Sequence, residues 1–213
     1  MVGIHMWHMD IMDGQFAPNL SMALPQLEQF HPHTNVPFDI HLMVENNDLF
    51  VELTAPFAQG NGQIAVHVES CTHLDRTLTL IKDLGCKAGV AINPHTPIDF
   101  LHYELDRLDY VMVMTVNPGF AGQKLVPSGI AKIAEVRRFL DERGRSDIQI
   151  EVDGNVSFEN IPAMVAAGGD ILVAGTSSIF NSGGDLQANV KKMNEAALKG
   201  LQGRSSESAE VLA

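Results

Sequence analysis

The pattern of apolar and polar positions switches repeatedly between the period of a strand and that of a helix. Short apolar runs predict seven strands, at 4–12, 38–44, 63–69, 87–92, 110–116, 148–153 and 171–175. Stretches with apolar residues at helical spacing predict helices between and after them, at 21–30, 47–58, 72–84, 97–105, 128–143, 160–167 and 185–198. Such alternation, with no break in composition, is typical of α/β proteins with a parallel sheet.

Polar residues and glycines recur just after the predicted strands, where the loops of a TIM barrel build their sites. We therefore predict an α/β fold of the TIM (β/α)8 type. A barrel needs eight strands, so we expect the first β/α unit to be missing from this chain; a seven-unit open sheet is the alternative. Residues 1–202 are predicted to form this one domain. The Ser- and Glu-rich stretch 203–213 is predicted to be a disordered tail.

The first predicted strand carries unusual polar residues. His8, Asp10 and Met12 share one face of it, and burying an unpartnered polar group costs about 2–7 kcal/mol. Similar groups lie on other strands, and the full set is His8, Asp10, His41, His67, Glu69 and Asp153. Imidazoles and carboxylates converging on one rim predict a site for one divalent cation. A mixed nitrogen and oxygen set suits Zn²⁺, Fe²⁺, Mn²⁺ or Co²⁺ without choosing among them.

Glycines close the last three strands. The segments are 119–122, which reads Gly-Phe-Ala-Gly, 153–155, which reads Asp-Gly-Asn, and 175–177, which reads Gly-Thr-Ser. Glycines there let backbone N–H groups approach an anion, so these loops predict a phosphate site. The sequence has no Walker-type motif, which argues against nucleotide hydrolysis.

Together these groups indicate a phosphorylated carbonyl substrate, with a metal polarising its oxygen. Asp10 and Asp153, on strands far apart in sequence, could face the substrate from opposite sides as base and acid. Met12, Met43 and Met114 fall at strand ends. Core filling is the default role of methionine, and a soft lid over a planar intermediate is the alternative.

Composition narrows the choice of partners. The chain has 213 residues and a formal net charge of -12, which disfavours nucleic acid. It has two cysteines, without metal-type spacing. Because we find neither a signal peptide nor an apolar stretch of membrane-spanning length, we expect a cytoplasmic protein that does not contact a membrane.

Several motifs occur together in a characteristic order. They are His8-Met9-Asp10-Ile11-Met12-Asp13-Gly14, Asp39-Ile40-His41-Leu42-Met43-Val44, His67-Val68-Glu69, Met114-Thr115-Val116-Asn117-Pro118-Gly119-Phe120-Ala121-Gly122-Gln123, Val152-Asp153-Gly154 and Ala174-Gly175-Thr176. In these motifs the chain resembles ribulose-phosphate 3-epimerases. The resemblance implies a TIM barrel that interconverts D-ribulose 5-phosphate and D-xylulose 5-phosphate in the pentose phosphate pathway. It also implies a homodimer or higher homo-oligomer.

The resemblance further implies roles for individual residues. The divalent metal would bind His8, Asp10, His41 and Asp153, with Asp10 and Asp153 as the acid/base pair. Substrate and phosphate contacts would come from His41, Gly119, Phe120, Ala121, Gly122, Asp153, Gly154, Asn155, Gly175 and Thr176. Met12, Met43 and Met114 would cover the intermediate.

Three departures from the family pattern leave alternatives open. The opening strand and its substrate-binding serine have no counterpart, so an inactive, truncated pseudoenzyme is one alternative. Ala121 and Asn155 each stand where glycine is usual. These two residues resemble D-allulose-6-phosphate 3-epimerases, which act on a ketohexose phosphate by the same chemistry.

Overall fold

The computed structural model describes residues 4–21, 24–182 and 184–210, with side chains through residue 204. The strands are β1 (Trp7–Met12), β2 (Phe38–Met43), β3 (Gln63–His67), β4 (Lys87–Ile92), β5 (Tyr110–Met114), β6 (Gln149–Asp153) and β7 (Ile171–Leu172). The α-helices are α1 (Leu24–Phe30), α2 (Asn47–Ala58), α3 (Leu74–Asp83), α4 (Gly129–Asp141), α5 (Ile161–Ala166) and α6 (Leu186–Glu210). Hydrogen-bonded neighbours in the sheet follow chain order from β1 to β7.

The chain forms two compact units, with the boundary inside β5. The N-terminal unit contains β1 to β4 and α1 to α3, together with Pro118–Phe120. Its strands pair in parallel, with Met9 opposite Ile40 and Ile40 opposite Ile64. β2 and β3 are buried along their whole length, as expected for parallel strands covered on both faces.

The C-terminal end of helix α3 is determined by its local sequence. Its inner stripe consists of Thr77, Leu78 and Ile81, all buried. Gly85 then takes a φ of 81°, its N–H donates to Lys82 O, and the next N–H donates to Ile81 O at 3.2 Å. This Schellman arrangement satisfies the last carbonyls of the helix and turns the chain into β4.

The C-terminal unit contains α4, β6, α5, β7 and α6. β6 and β7 pair in parallel, with Val152 opposite Leu172. Helix α5 packs extensively against α6, and at Gly200 a Cβ atom would lie 2.6 Å from Pro162 O, so glycine permits the close approach.

The predicted alternation of strands and helices is confirmed, and the bounds of α2 and β4 agree with the prediction. Most other bounds shift by one to three residues, and three further differences are the following. β3 ends at His67, and Glu69 lies in the following 3₁₀ turn. The predicted helix at 97–105 is a 3₁₀ helix, Asp99–Tyr103. β7 spans two residues, because it pairs with β6 only there.

Helix α6 continues to Glu210, well beyond the predicted end at residue 198. The predicted boundary between domain and tail at 202/203 stays a prediction, and residues 211–213 of that tail lie outside the described residues. Part of the predicted start of the first helix, at 22–23, also lies outside them.

Candidate active site

The register of β1 against β2 brings four polar residues together. His8 lies opposite Asp39, and Asp10 lies opposite His41. In each strand the two residues are two positions apart and therefore share a face. The two strands thus present two imidazoles and two carboxylates at neighbouring positions.

Both imidazoles approach the same oxygen. Nε2 of His8 lies 3.3 Å from Oδ1 of Asp10, and Nδ1 of His41 lies 3.0 Å from that oxygen. The candidate ligand atoms of these three residues all lie within 4.8 Å of one another. Atoms bound to one Zn²⁺-sized ion at about 2.0–2.2 Å lie roughly 3.0–3.5 Å apart, so this set fits a divalent cation. The acidic and imidazole donor types fit as well.

Each ring nitrogen that points away from Asp10 has its own partner. Nδ1 of His8 donates to Oδ2 of Asp39 at 2.5 Å, and Nε2 of Gln63 donates to the other oxygen of that carboxylate at 3.0 Å. Nε2 of His41 lies 2.9 Å from Nε2 of His67. Such outer contacts set the orientation of an imidazole and the nitrogen that it offers.

The charges in this cluster reinforce one another. Burial lowers the pKa of His8, but the carboxylates of Asp39 and Asp10 outweigh it and raise that pKa well above its usual range. Burial raises the pKa of Asp10, but His8 and His41 outweigh it and hold the carboxyl pKa well below its usual range. The side chain of Asp10 is 44% exposed, so the ionised oxygen remains open to a ligand.

His67 and Glu69 form a second layer behind His41. Burial lowers the pKa of His67 to about 4, so the ring is neutral at pH 7. Burial raises the pKa of Glu69, but hydrogen bonds from His67, Thr96 and the Asn93 N–H lower it to about 2. The carboxylate is therefore ionised and accepts from Nδ1 of His67 at 3.0 Å.

Sequence reasoning missed two residues of this cluster, Asp39 and Gln63. Both are buried, at 2% and 1% exposure. The sequence did contain an indication of both. Asp39 lies two positions before His41 and Gln63 lies four positions before His67, so each shares a strand face with that histidine. Only the register between strands shows that Asp39 lies beside His8 rather than beside Asp10.

The turn after β1 is rigidly built. Oδ1 of Asp13 accepts from the N–H groups of Gln15 and Phe16, and Oδ2 accepts from that of Glu45. Burial raises the pKa of Asp13, but these backbone hydrogen bonds outweigh it and lower the pKa from its ordinary value.

That turn also contacts the glycine-rich segment of the same unit. Nδ2 of Asn19 donates to Gly119 O at 2.7 Å. Gly119 has a φ of 125°, which glycine adopts readily. Phe120, the next residue, is 56% exposed.

In the C-terminal unit, Asp153 is the last residue of β6 and its carbonyl accepts from the Thr115 N–H at 2.7 Å. Gly154 follows with a φ of 114°, and a Cβ atom there would lie 2.6 Å from Cγ2 of Val116. Glycine is thus required at this turn. Asn155 has a φ of 47°, and its Nδ2 donates to Gln123 O at 2.7 Å.

The remaining predicted substrate contacts lie in loops of the same unit. Ala121 and Gly122 are exposed between β5 and α4, and Gly122 has a φ of 78°. Gly175 and Thr176 follow β7, and a Cβ atom at Gly175 would meet no described atom within 4 Å. Their contact with a phosphate stays a prediction.

The three methionines lie at strand ends, as predicted. Met12 ends β1 opposite Met43, which ends β2 and is 2% exposed. Met114 ends β5 and is also 2% exposed. This burial is typical of core residues, and the lid role stays a prediction.

Comparison with known proteins identifies the family of the chain. The model of the ribulose-phosphate 3-epimerase family matches residues 1–180. The chain is 47% identical to ribulose-phosphate 3-epimerase of Bacillus subtilis (strain 168), over 80% of this chain and 77% of that protein. It is 45% identical to the Escherichia coli (strain K12) protein of the same name, over 84% of this chain and 78% of that one.

Solved structures resemble the chain in fold. Thiamine phosphate pyrophosphorylase from Pyrococcus furiosus superposes with a TM-score of 0.60 at 10% identity, over 93% of this chain and 85% of that one. Tryptophan synthase subunit alpha from Legionella pneumophila str. Paris superposes with a TM-score of 0.54 at 14% identity, over 92% and 82%.

The chain has the TIM-barrel type of α/β fold, as predicted, and the family model and the relatives place it among the isomerases. The chain belongs to the ribulose-phosphate 3-epimerase family, and it is an epimerase. None of the helices in the described part of the chain combines the length and the apolar character needed to span a bilayer. The expected cytoplasmic location and homo-oligomer stay predictions.

Proposed function

We propose that this epimerase interconverts D-ribulose 5-phosphate and D-xylulose 5-phosphate at C3, using one divalent cation and two aspartates, within the pentose phosphate pathway. The observation that supports it most is the convergence of His8 Nε2 and His41 Nδ1 on one oxygen of Asp10, at 3.3 and 3.0 Å. This arrangement offers the donor types and spacing of a mixed-ligand metal centre.

His8, Asp10, His41 and Asp153 would hold the ion. The pair of oxygens on C2 and C3 of the substrate gains negative charge when the C3 proton leaves, and a divalent cation supplies electrostatic stabilisation of that charge. Zn²⁺, Fe²⁺, Mn²⁺ and Co²⁺ all suit this donor set.

The two aspartates would move the proton. One carboxylate takes the C3 proton, and the electrons of the C–H bond enter the former carbonyl to give an enediolate. The other aspartate, as the acid, returns a proton to the opposite face of C3, which inverts that carbon. The two side chains end with exchanged protonation states and reset through solvent. We assign these roles to Asp10 and Asp153.

The phosphate would be held by the backbone of the glycine-rich loops. We assign its contacts to Gly119, Phe120, Ala121, Gly122, Gly154, Asn155, Gly175 and Thr176, with His41 and Asp153 beside the sugar. The net charge of the chain is -12, so an anion needs local backbone donors rather than the overall field. Met12, Met43 and Met114 would cover the planar intermediate on its apolar side.

Epimerisation of D-ribulose 5-phosphate in D₂O tests the proposal. We expect deuterium at C3 of the product, loss of turnover with a chelator and recovery with added divalent cation. Asp153→Asn should lower kcat by about 10²–10⁴-fold, and His41→Ala should lower the bound metal. His102→Ala, an exposed histidine, serves as the control. An absence of C3 exchange in metal-supplemented wild type would identify a pseudoenzyme instead.

D-allulose 6-phosphate is the second candidate substrate. Asn155 favours it, because this residue replaces a glycine and its side chain joins two loops assigned to the phosphate. A higher kcat/KM on the hexulose phosphate than on the pentulose phosphate would establish it. We then expect Ala121→Gly with Asn155→Gly to shift the ratio toward the pentulose phosphate.

A further inference from the structure

The ring of His41 is buried, at 0% exposure, and both of its nitrogens have partners. Nδ1 faces Oδ1 of Asp10 at 3.0 Å, and Nε2 faces Nε2 of His67 at 2.9 Å. Two nitrogens at 2.9 Å form a hydrogen bond only if one carries the proton and the other offers its lone pair. The tautomer of His41 therefore depends on His67.

Glu69 sets the direction of that bond. An ionised carboxylate only accepts, so the Nδ1 of His67 that lies 3.0 Å from Oε2 of Glu69 carries a proton. A neutral His67 then offers a lone pair at Nε2, and His41 donates its Nε2–H to it. In a neutral His41 the Nδ1 atom then has the lone pair, and this is the form that binds a metal.

The carboxylate of Glu69 is itself held in place. Its other oxygen, Oε1, accepts from the Asn93 N–H at 2.9 Å and from the hydroxyl of Thr96. The ring of Phe16 lies over His67, with ring centroids 4.5 Å apart. The pair is thus anchored by the loop after β4 and covered by the loop after β1.

The lone pair of His41 then points at an oxygen that is also an acceptor. Two acceptors 3.0 Å apart repel each other unless a cation lies between them. The alternative proton arrangement, with Nδ1–H of His41 donating to Asp10, requires a second proton on one of the two rings, either His67 or His41. Binding of a cation at Nδ1 of His41 therefore favours the hydrogen bonds that run from His41 through His67 to Glu69, and these hydrogen bonds in turn favour binding of the cation.

We propose that His67 and Glu69 are positioning residues of the metal site, which keep the proton of His41 on Nε2 and present Nδ1 to the ion. This inference rests on the proposed metal-dependent function. His67 and Glu69 thereby support the metal site without binding the ion. The affinity for the ion then depends on the carboxylate of Glu69, although this carboxylate is not a ligand.

The affinity of the full chain for Zn²⁺, measured by competition with a coloured chelator, tests the proposal. Glu69→Gln retains the size of the side chain but supplies an amide N–H that can donate to Nδ1 of His67. That change would reverse the direction of the hydrogen bonds from His41 through His67 to residue 69. We expect about 10–100-fold weaker Zn²⁺ binding, the usual effect of losing an outer-shell partner. Asp109→Asn, which changes a carboxylate that accepts from the Ala88 N–H at 2.8 Å, is the matched control and should bind Zn²⁺ as wild type does.

Nitrogen NMR of the histidine rings in Zn²⁺-loaded wild type supplies a readout that needs no variant. We expect the proton of His41 on Nε2 and that of His67 on Nδ1. The opposite tautomer of either ring, or unchanged Zn²⁺ affinity in a folded Glu69→Gln, would overturn the inference. If Asp10→Asn loses Zn²⁺ in the same series, the metal site itself stands. Wild type that fails to bind Zn²⁺ and Co²⁺ would refute both this inference and the proposed function.

Discussion

Nδ2 of Asn155 donates to the main-chain carbonyl of Gln123 at 2.7 Å and thereby joins the loop after β6 to the loop after β5. Its Oδ1 accepts from Nδ2 of Asn160 at 2.7 Å, so the side chain is held at both ends. The backbone has a φ of 47°, a conformation that asparagine tolerates better than most residues other than glycine. Asn155 thus adopts a backbone conformation typical of glycine, and its side chain also joins two loops by hydrogen bonds.

Asn155→Ala and Asn155→Gly separate the two properties. Both remove the hydrogen bonds, each worth about 0.5–1.5 kcal/mol, and only alanine retains the cost of about 1–2 kcal/mol for a side chain at positive φ. We expect the alanine variant to be less stable than the glycine variant by about 1 kcal/mol in urea unfolding. Equal stabilities would mean that the backbone relaxes out of the left-handed region. A rise in KM for both variants is expected if the loops hold the phosphate.

Gly175→Ala tests the phosphate assignment without disturbing the fold. A Cβ atom at this position meets no described atom within 4 Å, so we expect a free energy of unfolding within about 0.5 kcal/mol of wild type. A methyl group facing the phosphate should nevertheless raise KM by about tenfold. Steady-state kinetics beside urea unfolding measures the two effects.

Gly203→Ala, in helix α6, is the matched control for that variant, because it adds the same methyl group away from the assigned loops. We expect its KM to equal that of wild type, with a small gain in stability from helix propensity. A KM for Gly175→Ala that also equals the wild-type value would remove Gly175 from the phosphate site.

Cys86 provides a pH-dependent prediction. Burial raises the pKa of this thiol to about 11, and the residue is 6% exposed. Only about one thiol in a thousand is then ionised at pH 8, and the thiolate is the reactive form. In a Cys71→Ser background, alkylation of native protein by iodoacetamide should accelerate about tenfold per pH unit from pH 8 to 10.

The same shift predicts a loss of stability at high pH. The folded pKa lies above the ordinary value of 9.0, so the protonated thiol stabilises the fold below pH 9, and this contribution disappears as pH rises toward 11. Cys86→Ala should show a flatter decline over that range. An alkylation rate that levels off near pH 9 would show that the thiol is not shielded from solvent.

The strands could be predicted from the sequence because each is a short apolar run between clear turn signals. The identities of His8, Asp10 and His41 as a group could be predicted too, since each is a polar residue within an otherwise largely apolar strand. The relation of His67 to His41 could not, because parity puts both rings on inward faces without telling which nitrogen meets which. That detail depends on register and ring orientation, and the packing of Phe16 on the ring of His67 helps to set the latter.

Glu69 shows how a wrong boundary can accompany a useful prediction. The alternation over 63–69 placed it on the strand with His67, but the strand ends at His67 and Glu69 lies in a 3₁₀ turn. The two side chains still meet, because the turn brings the carboxylate back to Nδ1 at 3.0 Å. A hydrogen bond from the Asn93 N–H to Glu69 favours that turn over a longer strand. The sequence of 63–69 alone cannot predict this contact, because the donor lies on a later loop.

Gly89 and Tyr110 form a packing pair that a single methyl group should disrupt. A Cβ atom at Gly89, on β4, would lie 2.2 Å from Cζ of Tyr110, whose ring is 1% exposed. β4 cannot yield easily, because it pairs with β3 at Gly89 itself, opposite Ala65, and at Ala88 and Val90 on either side. Overpacking typically costs about 1–3 kcal/mol, and so close an approach to a buried ring should exceed 3 kcal/mol in urea unfolding of Gly89→Ala. Combining it with Tyr110→Leu should recover part of that loss, since the smaller side chain vacates the space. Additive losses in the double variant would show that the glycine serves the backbone of β4 rather than the ring of Tyr110.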